Sequence, residues 1–134
     1  MSATVDRLTS TLQAEYAACY AYGLIGSHVS GTARTRAARA LDSHQQARDQ
    51  LRVSLTALNA DIPSPAPAYQ PPTPVTNSPS AIALAVNVEQ NLIRQWAAVS
   101  AVSGGNSRDN AIQNAQECAV RAIAWGASSQ AFPG

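Results

Sequence analysis

Glutamate is scarce in this chain, and two of its three Glu residues fall where a helix should be apolar. Counting by threes and fours along the first segment gives Val5, Leu8, Leu12, Glu15, Cys19 and Tyr22. The same count gives Ala37, Leu41, His44, Ala47 and Leu51, and further on Ile82, Val86, Glu89, Ile93 and Trp96. Residues three and four apart share one helix face. Glu15, His44 and Glu89 are therefore expected on core-facing stripes of three separate helices. A lone carboxylate in a core is costly unless it is paired or bound to metal. Two arrangements meet that requirement. In one, a cationic His44 sits in a buried hydrogen-bonded network between two carboxylates, with Gln116 or Tyr20 as a further partner. In the other, one imidazole and two carboxylates hold a single divalent ion such as zinc, iron or manganese, leaving positions open for water.

Four helical segments position these residues, at about 2–28, 32–59, 78–103 and 107–128. The chain is rich in alanine and modest in Val, Ile and aromatics, a balance that favours helix over sheet. Gly31 breaks the first pattern, and Pro63 stops the second. Ser78 reads as the N-cap of the third, with Pro79 at its first position. Ser107 or Asn106 reads as the cap of the fourth, with Asp109 in the first turn. Ile112, Ala115, Ala119, Val120 and Ile123 are expected to face inward on that helix, and Ser129 to Gly134 to fray.

Residues 60–77 hold six of the eight prolines and carry no helix. Short turns make helices 1 and 2, and helices 3 and 4, antiparallel hairpins. The linker between them is far longer than usual. At ~3.1 Å per residue in a polyproline-like state it covers ~50 Å, while a helix of about 27 residues is ~40 Å long. The linker can thus cross the bundle end to end, so that helices 2 and 3 run parallel. Counted at ~1.5 Å per residue from each helix start, Glu15, His44 and Glu89 then share one level, ~20 Å from the base. The expected fold is all-α: one domain, 1–134, with two antiparallel hairpins and a long Pro-rich crossover.

The chain resembles the ferritin-like four-helix bundles, and within them a small actinobacterial family of unknown function. The residues that carry this are the run Gln13-Ala14-Glu15-Tyr16-Ala17-Ala18-Cys19-Tyr20-Ala21-Tyr22-Gly23, the run Ser43-His44-Gln45-Gln46-Ala47-Arg48-Asp49, the proline-rich linker and the Glu89 helix. Ferritin-like di-metal proteins supply a Glu from each of two helices and a Glu-x-x-His from each of the other two. The resemblance implies that Glu15 and Glu89 match the single-Glu positions and His44 the first motif's His. The departures are as telling. Leu41 stands where that motif has Glu, and helix 4 offers Gln116 and Ala119 in place of the second motif. Half of the di-metal ligands are missing.

The expected function follows from that loss. It is a non-catalytic binding or scaffold module on a lapsed di-metal site, with no cofactor; the alternative is a mono-metal protein for storage, sensing or oxidative chemistry. No Gly-rich phosphate loop, nucleophile elbow, Cys-x-x-Cys or His-Glu-x-x-His is present. A net charge of +1 makes no electrostatic case for nucleic acid or membrane. All nine basic residues are Arg, and Arg34, Arg36, Arg39, Arg48 and Arg52 cluster on the second segment, which reads as a solvated face. The first residues do not read as a signal peptide and no apolar run could span a bilayer, so the expected location is the cytoplasm, with Cys19 and Cys118 reduced. His28 reads as an exposed residue at a helix C-terminus. Flat alanine-rich faces, and Trp125 with little chain left to cover it, point to a homodimer.

Overall fold

The structure is a computed structural model, and it describes residues 2–127. Helix α1 spans Ala3–Gly26, and the Ser2 hydroxyl caps it by accepting from the Val5 amide. Helix α2 spans Gly31–Ala57. Its first residue turns the chain at φ 59°, and Gly105 opens α4 in the same way at φ 57°. Both corners need the left-handed conformation that only glycine adopts at little cost. Asn59, at φ 55°, ends α2 as an Asn can, with the Ala60 amide bonded back to the Leu55 carbonyl.

Helix α3 spans Ser78–Ala101 and α4 spans Gly105–Ala124. The caps differ from the sequence reading. Asn77, not Ser78, caps α3, in a reciprocal box with Ser80. Two side chains there satisfy amides that a lone Ser could not. Gly104 precedes α4 with no side-chain cap, so neither Asn106 nor Ser107 performs that role. The expected fraying of 129–134 lies outside the described residues. No strand occurs among the described residues.

Polar contacts give the direction of each helix. Along α1, Thr4 meets Val102, Thr11 meets Gln95 and Tyr22 meets Glu89, so α1 and α3 are antiparallel. Tyr16 meets Arg52, and Gly26 meets Arg34, so α1 and α2 are antiparallel too. Helix α1 packs closely on α2 and α3, and α3 on α4. The seam between α2 and α4 is the open side of the bundle.

The core falls into two clusters. One holds Leu8, Leu12, Leu51, Leu55, Leu92, Trp96 and Val99. The other holds Tyr22, Ile25, Val29, Leu84 and Trp125 among alanines. Each fully buried large side chain contributes about 1.5–3 kcal/mol. Residues 58–77 lie against this core without helix. Ala60, Ile62 and Tyr69 pack on the first cluster and Val75 on the second. The Tyr16 hydroxyl donates to the Pro63 carbonyl at 2.8 Å, and the Tyr20 and Tyr69 rings lie 5.8 Å apart.

Helix α4 is turned relative to the sequence reading. It buries Ala111, Ala115, Cys118 and Ala122, while Ile112, Val120 and Ile123 are exposed at 37%, 67% and 47%. Small residues let α4 approach α3 closely, and the bulky row is left outside. Hydrophobicity alone therefore gave the wrong phase. Trp125, expected to be uncovered, is buried. The Arg36 guanidinium lies over its ring at 5.3 Å.

Candidate functional site: a buried charge network

Glu15, His44 and Glu89 come from α1, α2 and α3 and meet at the boundary of the two core clusters, each with 0% exposure. On α2 the apolar residues Ala40 and Ala47 flank His44, and on α3 Ala85 and Leu92 flank Glu89. The helical stripe that drives burial thus carries the polar groups inward with it. His44 lies between the carboxylates. Its Nδ1 is 2.7 Å from Glu15 Oε1, and its Nε2 is 2.8 Å from Glu89 Oε2.

The remaining oxygens are also occupied. Trp96 Nε1 donates to Glu15 Oε2 at 2.9 Å. The Tyr22 hydroxyl donates to Glu89 Oε2 at 2.5 Å and accepts from Trp125 Nε1 at 3.1 Å. Arg121 Nε donates to Glu89 Oε1 at 3.1 Å, and its Nη2 reaches Cys118 Sγ at 3.4 Å. The Tyr22 ring stacks on the imidazole at 5.4 Å between centroids. Among the described residues no buried side-chain nitrogen or oxygen lacks a partner. Such a closed network avoids the penalty that a half-satisfied one would carry.

The electrostatics follow from this geometry. Burial alone would lower the His44 pKa, but hydrogen bonds to Glu15 and Glu89, and their charges, outweigh it and raise it from 6.5 to about 9. Burial would raise the Glu89 carboxyl, but the His44 hydrogen bond and the His44 and Arg121 charges hold it below the usual range. Burial, then the Glu89 charge, pushes the Tyr22 hydroxyl up. Burial also raises both thiols, Cys19 to about 11 and Cys118 well above its ordinary value. Neither is a thiolate at neutral pH, so neither is a ready nucleophile.

Two expected partners are absent from the network. Gln116 is exposed on the outer side of α4, a consequence of that helix's rotation. Tyr20 is 43% exposed and faces the linker at Tyr69. Arg121, Trp96, Tyr22 and Trp125 take part instead. The last three carry a polar atom on a large apolar body, and burying them requires an acceptor. His28 is half-buried, with Nδ1 3.0 Å from the Leu24 carbonyl oxygen. Among the described residues no group of three or more His, Cys, Asp or Glu is arranged to hold a metal ion. The two carboxylates approach the imidazole from opposite sides rather than converging with one nitrogen on a common point.

Comparison with known proteins extends this picture. No curated protein matches the sequence. The chain is similar to a conserved hypothetical protein, rv2844, from Mycobacterium tuberculosis, whose crystal structure is 31% identical and gives a TM-score of 0.89 over 92% of this chain and 94% of that one. A family model described as Domain of unknown function (DUF4439) matches residues 7–134, and the chain belongs to that family.

Proposed function

We propose that this chain is a ferritin-like, non-catalytic binding module in which side chains carry the positive charge that a metal centre would otherwise supply. The observation that carries this reading is the placement of His44. Each ring nitrogen faces a different carboxylate. An imidazole that donates from both nitrogens is protonated and has no lone pair left for a metal. Arg121 adds a second cation at Glu89. Two carboxylates are then matched by two cations, and the site neutralises itself.

Several features support the ferritin-like part. Helix α1 is antiparallel to both α2 and α3, and residues 58–77 touch both core clusters, as a crossover would. Leu41 and the α4 face lack the carboxylates of the two Glu-x-x-His motifs. The arginine-only basic set and the likeness to a mycobacterial chain fit an actinobacterial source. We propose a cytoplasmic location and a homodimer as well. The dimer now rests on the exposed Ile112, Val120 and Ile123 row, since Trp125 is covered. No helix among the described residues is long and apolar enough to cross a membrane.

Elemental analysis of untagged protein purified without chelator tests the charge-replacement reading. Substoichiometric zinc, iron and manganese is the expected result, with no rise in melting temperature when these ions are added. One tightly held ion per chain, lost on changing Glu15, His44 or Glu89, would overturn the reading in favour of a mono-metal protein.

A further inference from the structure

Helix α2 carries a second pattern along the edge of its apolar stripe. Thr32, Arg36, Arg39 and Ser43 follow one another at spacings of four, three and four, a single helical face. Thr35 lies beside them. This face looks across the open seam at Arg121 of α4. Together these residues and Ala40 line a crevice of about 260 Å³.

The charge in this crevice is unbalanced. Three guanidinium groups line it, and among the described residues no carboxylate does. Arg121 is matched by Glu89 on its inner side. Arg36 and Arg39 make no ion pair among the described residues. The nearest acids in sequence, Asp42 and Glu117, do not line the crevice: Asp42 accepts from the Gln46 amide at 2.9 Å, and Glu117 is exposed on α4. The crevice also adjoins the start of α2, whose N-cap Ser30 makes no side-chain cap bond, and the helix dipole adds to the positive field there. Like charges gathered in a concave site focus potential and attract a counter-ion. Arg36 is held by the Trp125 ring below it, and Arg121 by Glu89 and Cys118. Two of the three guanidinium groups are thus fixed before any ligand arrives, which limits the ordering cost of binding.

We propose that the crevice between α2 and α4 binds a phosphate group, with Arg36, Arg39 and Arg121 as its cationic donors and Thr32 and Ser43 as hydroxyl donors. A phosphate is multiply charged and accepts on several sides. A carboxylate is planar and is satisfied by one bidentate guanidinium. The proposal names a ligand class for the module described above and rests on the binding-module reading. Its test leaves His44 and both carboxylates untouched, so it can fail while that reading stands.

The test is calorimetric titration of the full chain with inorganic phosphate, beside melting curves in phosphate and in sodium chloride at equal ionic strength. Arg39 is exposed and has no part in the buried network, so Arg39→Gln keeps the fold; its far-UV circular dichroism confirms that. Phosphate raises the parent's melting temperature above the chloride control, and Arg39→Gln weakens phosphate binding about tenfold, as loss of one charged hydrogen-bond donor does. Arg94→Gln, on the exposed side of α3, binds like the parent. Glycerol phosphate separates the two sources of the group. Tighter binding than inorganic phosphate assigns the crevice to an ester, and equal or weaker binding assigns it to the free ion. Equal stabilisation by phosphate and chloride, or unchanged affinity in Arg39→Gln, overturns the proposal.

Discussion

Replacing His44 with Ala removes the one group that touches both carboxylates. Glu89 keeps Tyr22 and Arg121, one of them a cation. Glu15 keeps only the neutral Trp96 indole. The burden of an unpaired buried charge therefore falls on Glu15. Breaking a buried ion pair from one side costs about 3–5 kcal/mol, against a typical total stability of about 5–15 kcal/mol for a domain. The loss is larger at pH 5 than at pH 8, because His44 contributes in full only below about pH 6.5. Urea titrations followed by circular dichroism measure it directly, with the m-value as a check that unfolding stays two-state. A double-mutant cycle sharpens the result. Glu15→Gln is expected to cost less in the His44→Ala background than in the parent, since their interaction is already gone. A His44→Ala loss below about 1 kcal/mol, the size of an ordinary substitution, would show that His44 does not bridge two charged carboxylates.

Two further outcomes follow from the same contacts. The His44 pKa is higher folded than unfolded, so its stabilisation is complete below about pH 6.5 and is lost as the pH rises through about 9. Those two values bound the alkaline loss at about 3 kcal/mol. Glu89 behaves oppositely: held low in the fold, its stabilisation is present above its ordinary pKa and disappears in acid. Denaturant titrations across pH should peak between these limbs, and a profile flat to pH 9 would speak against a charged His44. In a second experiment, Arg121→Met removes one charged hydrogen bond to Glu89 and should cost about 1.5–3 kcal/mol. Gln116→Ala, on the exposed face of α4, should stay within about 0.5 kcal/mol. Equal losses in the two variants would contradict the assigned orientation of that helix.

The central trio was legible because burial is imposed by the stripe. A polar residue locked in phase with leucines and alanines is carried inward whatever its chemistry, and Glu15, His44 and Glu89 were each in phase. Trp96 and Tyr22 were on those same stripes, and their roles could have been read as well. A buried indole N–H and a buried phenol must each find an acceptor, and the stripes offered two carboxylates. Arg121 was out of reach for a different reason. Its helix packs through alanines and a cysteine, and turns its larger Ile and Val side chains outward. A reading that follows hydrophobic bulk therefore rotates α4 and puts Gln116 in the core. The α3 cap shows the same limit on a smaller scale. Ser78 beside Pro79 is a strong local signal, yet the reciprocal Asn77–Ser80 pair satisfies more amides and wins. The direction of α2 relative to α3 depended on residues 60–77, where length and proline content set the reach of the chain before any contact was known.

The state of the His44 ring decides whether charge or metal holds the two carboxylates. Nitrogen-15 chemical shifts of the two ring nitrogens, followed from pH 5 to pH 10 in metal-free protein, report protonation at each atom separately. With a charged His44, Nδ1 and Nε2 both carry a proton at pH 7 and the ring titrates near pH 9. A neutral ring at pH 7 with one bare nitrogen, or a nitrogen shift that moves when zinc or iron is added, would contradict that charge.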